Sequence, residues 1–219
     1  MSNAVLIIGP SGSGKSTSIR NLDPEQTFII SVLDKPLPFR GYKKTYRPIS
    51  GWEDTTGNYY TSDDWARILK CINVVNRDRL DIKICIIDDL NYVMANEFMR
   101  RVSERGFDKY CEMASHFWQI ITKAISCRDD LIFIFISHNE IDVNGVSKCK
   151  TIGKLIDEKI NVEGLFSTVF HSAVIENEYK FLTQHDGFRT AKSPMGLFDS
   201  QFIDNDLLSI IDKIREYYS

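Results

Sequence analysis

Paired cysteines are missing from this chain: its five cysteines, Cys71, Cys85, Cys111, Cys127 and Cys149, lie far apart with no CxxC spacing. An odd, scattered set suits reduced thiols and argues against a zinc site or a disulfide framework. An excess of positive charge is missing too. With 27 Lys and Arg against 30 Asp and Glu, the net charge is −3 and the pI about 5.8, so no global basic field holds nucleic acid or anionic lipid. No apolar run approaches the roughly 18 residues of a membrane helix, and the first one, Ala4 to Ile8, is too short for the core of a signal peptide. The expectation is a cytoplasmic protein with no membrane partner. Internal repeats, low-complexity tracts and linkers are also absent, and 43% apolar residues suffice for one sizeable core, so residues 1–219 are expected to form a single domain.

Four short apolar runs rich in β-branched or aromatic residues are present: Val5 to Ile8, Thr27 to Val32, Ile82 to Ile87 and Leu131 to Ile136. Each has the length of a strand and is apolar on both faces, the pattern of a mainly parallel sheet sandwiched by helices. Ser62 and Asp63 are placed to cap a helix whose stripe carries Trp65, Ile68, Leu69, Ile72 and Val75, and Asn91 to cap one carrying Met94 and Phe98. A third helix is expected over Lys109 to Ser126. Alternating strands and helices indicate an α/β fold with right-handed crossovers. The polar stretch Asn139 to Lys150 reads as a loop and Thr151 to Lys159 as a short helix. Thr168 to Ile175 and Tyr179 to Thr183 read as an antiparallel hairpin at the sheet edge, and a last helix is expected from Asp204 to Tyr218. Lys35 to Thr61 is the least regular stretch.

Gly9-Pro10-Ser11-Gly12-Ser13-Gly14-Lys15-Ser16-Thr17 matches GxxxxGK[ST] directly after the first strand and before an expected helix. Glycines at this spacing let the backbone fold tightly around a phosphate, with the helix dipole behind it. Lys15 supplies a point charge toward the β- and γ-phosphates, and the Ser16 hydroxyl is a hard oxygen suited to Mg²⁺. The third strand ends in Asp88 and Asp89. Asp88 is placed to hold Mg²⁺ at the carboxyl edge of the sheet, and Asp89 to orient the attacking water, although many ATPases of this class carry a glutamate there. Ser137, His138 and Asn139 end the fourth strand, and His138 is the candidate γ-phosphate sensor. His116, His171 and His185 have no comparable setting.

Together with GPSGSGKST at 9–17, the segments LDKPLPFRG at 33–41, IIDDLNYVMANEFM at 86–99, FISHNE at 135–140, KTIGKLIDEKI at 150–160 and TAKSPMGLFD at 190–199 resemble AAA-type, RecA-like ATP-binding proteins encoded by bacteriophages. Some of those are linked to single-strand DNA annealing. The resemblance implies ATP as the nucleotide, a location in the host cytoplasm, and a RecA-like P-loop NTPase core in which the strand ending at Ser137 lies between the P-loop strand and the strand ending at Asp88. RecA-like ATPases often complete the site with a cation from a neighbouring subunit, and in a homo-oligomer Arg189 and Lys192 are the candidates.

Two basic segments are candidates for single-stranded DNA. Phe39 to Arg47 interleaves four cations, Arg40, Lys43, Lys44 and Arg47, with three aromatics, Phe39, Tyr42 and Tyr46, and Lys148, Lys150 and Lys154 follow the sensor strand. Three functions fit these residues. The first is a Mg²⁺-dependent ATPase acting in phage DNA recombination, annealing or replication. The second is a small-molecule kinase, which the lack of an arginine-rich lid after the fourth strand disfavours. The third is a nucleotide-gated interaction protein with little turnover, suggested by the missing glutamate beside Asp88. No NKxD-like guanine-reading motif appears.

Overall fold

The computed structural model describes residues 3–153 and 159–219. The four apolar runs form β1 (Asn3–Gly9), β2 (Thr27–Ser31), β4 (Ile84–Asp88) and β5 (Ile132–Ile141), and a short β3 (Tyr59–Thr61) lies beside β2. Beyond them come β6 (Ser147–Cys149), β7 (Thr168–Ile175), β8 (Glu178–Leu182) and β9 (Phe202–Asp204). The sheet order among the described residues is β3-β2-β4-β5-β1-β7-β8-β9, with β6 paired to β5. From β3 to β7 all neighbours are parallel; β8 and β9 add an antiparallel edge. β5 therefore separates β1 from β4, as the resemblance implies.

Two-residue alternation divides the sheet between two cores. Ala4, Leu6 and Ile8 of β1 face one cluster, with Phe133 and Phe135 of β5; Val5 and Ile7 face the other, with Ile134 and Ile136. On the first face lie α2 (Trp65–Arg77), α3 (Asn91–Arg100) and α4 (Asp108–Ile125); on the second lies α5 (Leu207–Tyr218), after a single turn α1 (Tyr42–Thr45) earlier in the chain. Leu6, Ile7 and Ile8 are wholly buried, each worth about 1.5–3 kcal/mol of transfer free energy, so the strand carrying the glycine-rich loop is among the most firmly anchored. No helix among the described residues is long and apolar enough to cross a membrane.

Several local expectations are corrected. The cap of α2 is Asp64, whose carboxylate accepts from the Arg67 N–H at 2.9 Å, while Asp63 accepts from Asn96 and Arg100 of α3. Asn91 begins α3 without capping it. Asn139 to Lys150 is no plain loop: β5 runs on to Ile141 and folds back as β6. The antiparallel hairpin expected at the sheet edge forms as β7 and β8, and β7 joins it to the sheet by pairing parallel with β1. The last helix begins at Leu207, because Phe202–Asp204 joins the sheet and Asp206 caps through the Leu208 N–H. The helix expected after the glycine-rich turn is there, as a 3-10 helix over Ser16–Asn21. Most of the helix expected over Thr151 to Lys159, and Lys154 with it, lies outside the described residues.

Candidate functional site

Parallel pairing aligns the carboxyl ends of β1, β4 and β5, so their terminal residues converge. Gly9 stands opposite His138 and Ser31 opposite Asp88. A cleft of about 300 Å³ opens there, lined by Ser11, Gly12, Lys15, Ser16, Lys35 and His138, with Asp89 at its floor and Tyr179 of β8 on its wall.

The glycine-rich turn needs its glycines for reasons the structure makes specific. Gly14 has φ +89°, and a Cβ there would stand 2.6 Å from the Tyr179 ring. Gly9 has φ +156°, and a Cβ would meet the Ser172 hydroxyl and, at 2.9 Å, the Ser172 carbonyl oxygen. The Ser13 side chain is turned away from the cleft; its hydroxyl donates to the Pro10 carbonyl at 2.7 Å and sits 2.6 Å from the Ser172 hydroxyl of β7. Pro10 and Ser11 line a second, adjoining cleft.

Lys15 is buried, and its ammonium donates to the Gly9 and Pro10 carbonyls at 2.9 and 2.8 Å. Burial lowers its pKa to about 8 against the pull of Asp89 and Asp88. The Ser16 hydroxyl donates to Asp88 Oδ1 at 2.9 Å, whereas Asp88 Oδ2 is buried with no hydrogen-bond partner. Burial first, then the charge of Asp89, pushes the Asp88 carboxyl up to about 6. Asp89 is buried at a left-handed φ of +65°, a conformation that costs a non-glycine residue roughly 1–2 kcal/mol and turns its side chain from the strand line into the cleft. It forms an ion pair with Lys35, and its other oxygen is 3.5 Å from His138 Nε2. The His138 pKa is lowered, by burial and then by Lys15. Its main-chain N–H donates to Asn91 Oδ1 at 3.1 Å, and its ring meets Tyr92 edge-on.

The structure thus gathers Lys15, Ser16, Asp88, Asp89 and His138, with Gly12, Gly14 and Thr17 lining the same cleft. It does not bring Arg189 or Lys192 to the cleft of their own chain. Arg189 is held by Asp186, with Nε at 2.7 Å, and lies over the Phe202 ring; Lys192 belongs to a bridge with Val169. Of the two basic segments, Arg40, Lys43, Lys44 and Arg47 are exposed, but the interleaved aromatics are not free to stack on bases: Tyr46 is buried, and Phe39 and Tyr42 pack on the second core and on each other edge-to-face. In the other segment Lys148 pairs with Glu140, and Lys150 is exposed beside the second cleft.

Sequence reasoning missed three contributors. Lys35 was visible as a polar residue just past β2, at the same sheet edge as Asp88. Asn91 looked like a cap but instead accepts from the end of β5. Tyr179 carried no signal, since its place depends on β8 folding back over the loop.

No family model matches the chain, and no curated protein sequence matches it. Among solved structures the chain is similar to the genome packaging NTPase B204 from Sulfolobus turreted icosahedral virus 2, in complex with ATP-gammaS. The identity is 12%, over 85% of this chain and 77% of that one, at a TM-score of 0.41.

Proposed function

We propose that this chain binds Mg²⁺-ATP at Gly9 to Thr17 and hydrolyses it. The observation that carries the reading is the Ser16–Asp88 contact, beside a lysine folded into a glycine-rich turn at the end of a buried parallel strand. The orphaned, buried Asp88 Oδ2 supports a cation there, because a carboxylate oxygen without a donor is the ligand a hard divalent ion takes. Ser16 and Asp88 would hold the Mg²⁺ ion, which when bound supplies charge neutralisation for the phosphate oxygens.

The chain's own groups account for the rest. Lys15 exchanges its loop carbonyls for phosphate oxygens, which match its charge better than neutral acceptors do. Asp89 accepts a hydrogen bond from the attacking water and His138 reports on the terminal phosphate; their proximity supports that division. Kinase chemistry gains no support from the described residues, which add no cluster of arginines to the cleft. The finer reading rests on the phage resemblance: a single-domain ATPase acting in DNA recombination, annealing or replication, with single-stranded DNA along Arg40 to Arg47 and Lys148 to Lys154, and Arg189 or Lys192 lent by a neighbouring copy.

Calorimetry with ATP and GTP, with and without Mg²⁺, tests the core of this. ATP binding that strengthens with Mg²⁺ is expected, followed by phosphate release; no heat with either nucleotide would remove the reading.

A further inference from the structure

Lys35 is a cation in this cleft that the preceding mechanism does not use, and its backbone is fixed more firmly than a loop lysine's usually is. The Val32 N–H donates to the Asp88 carbonyl at 3.0 Å, tying the chain past β2 to the end of β4. The Lys35 N–H then donates back to the Leu33 carbonyl at 2.9 Å, a three-residue turn whose acceptor is also bonded by the Ser31 hydroxyl at 2.7 Å. Pro36 follows, and Leu37 is buried in the second core. The side chain so presented lines the glycine-loop cleft together with Lys15 and Ser16, and with Ser11 and His138 it also lines the adjoining cleft that holds Tyr92 and Lys150.

The two partners of the Lys35–Asp89 ion pair differ in freedom. The Asp89 side chain is 2% exposed and the Lys35 side chain 42% exposed, so the lysine is the member able to move. A lysine ammonium is a point charge on a flexible stem, and a triphosphate terminus offers it more negative charge than one carboxylate does. While the ammonium sits on Asp89, that carboxylate is a poorer acceptor for water. His138 Nε2, 3.5 Å from the opposite oxygen, is the other polar group beside Asp89.

We propose that Lys35 is a γ-phosphate-contacting cation supplied by the chain itself, and that a bound triphosphate draws it off Asp89, freeing that carboxylate for the attacking water. The proposal rests on the reading of Gly9 to Thr17 as an ATP site. It makes the Lys35–Asp89 pair a catch that a triphosphate opens and a diphosphate leaves closed.

The test is calorimetry of the full chain with Mg²⁺ and either ATP-gammaS or ADP, on the wild type, Lys35→Met and Lys35→Arg. Lys35→Met is expected to weaken ATP-gammaS by about tenfold or more while changing ADP less than about twofold, the size of one lost charge-assisted contact. Lys35→Arg, which keeps the charge, is expected to restore most of the preference for the triphosphate. Equal losses for both nucleotides in Lys35→Met, or no loss for either, would overturn the assignment of Lys35 alone. A wild type that binds neither nucleotide would overturn the ATP reading and this inference with it.

Discussion

Acidification is expected to destabilise this protein through His171, and the size of the effect follows from its hydrogen bonds. His171 Nδ1 lies 3.1 Å from the Ser172 carbonyl, an acceptor only, so Nδ1 carries the proton and donates. Nε2 must then accept from the Ser147 hydroxyl at 2.8 Å, and the Ser147 oxygen in turn accepts from Asn139 Nδ2 at 2.6 Å. A second proton, on Nε2, would reverse the Ser147 hydrogen bond and place a charge inside the fold. Burial, and after it the charge of Arg189, lowers the His171 pKa from 6.5 to about 4. Since the folded value lies below the unfolded one, this stabilisation is complete above pH 6.5 and drains away as the pH falls toward 4. The full shift corresponds to about 3 kcal/mol; with partial solvent screening, roughly 2 kcal/mol should be lost between about pH 7.5 and about pH 4.5. For a chain of this size that is a drop in Tm of about 4–8 °C beyond what other groups contribute. His171→Phe cannot titrate, so urea unfolding of both proteins at the two pH values isolates the term as a difference of differences. Parallel pH slopes in wild type and variant would refute the argument, whatever the variant's absolute stability.

Four further outcomes follow from the site. Lys15→Ala should lose ATP turnover while its thermal unfolding stays near that of the wild type, because the lost ammonium is buried at a cost that already lowers its pKa to about 8. Asp88→Asn should make ATP affinity insensitive to Mg²⁺, and should unfold no more easily than wild type at neutral pH, since it removes a carboxylate whose charge burial and Asp89 disfavour; titrating Mg²⁺ against a fixed ATP concentration checks the first half. Gly14→Ala should cost about 1–3 kcal/mol in chemical denaturation, and adding Tyr179→Ala should recover the part owed to the ring but not the part owed to the left-handed backbone. If the exposed cations Arg40, Lys43, Lys44 and Arg47 hold single-stranded DNA, replacing them by alanine should flatten the dependence of log affinity on log salt by roughly 0.7 per lost phosphate contact in anisotropy titrations.

What the sequence made legible was what depends on a short window. Unbroken apolar runs mark strands buried on both faces, and the runs at β1, β2, β4 and β5 were placed on that ground. The GxxxxGK[ST] spacing and the paired aspartates located Lys15, Ser16, Asp88 and Asp89, which the fold brings to one sheet edge. Illegible features depend on partners distant in the chain. Phe202–Asp204 has no strand pattern of its own; it becomes β9 because β8 leaves an edge beside it. Asn139 to Lys150 carries no unbroken apolar run, yet β5 continues to Ile141 and pairs antiparallel with β6, a ladder that only the chain's return makes. Phe39, Tyr42 and Tyr46 alternate with cations as a base-stacking surface would, but the same alternation arises when an irregular segment turns its rings inward.

Position, more than residue type, explains how the acidic pair is tolerated. Asp88 and Asp89 are adjacent and both buried, an arrangement that sets two like charges side by side. The left-handed turn at Asp89 separates them: Asp88 keeps the strand direction and meets Ser16, while Asp89 swings toward Lys35 and His138. Asp88 is thereby left with a buried oxygen that accepts no hydrogen bond, and Asp89 with the Lys35 ammonium beside it. Two chemically identical side chains meet different partners because one backbone angle changes sign between them.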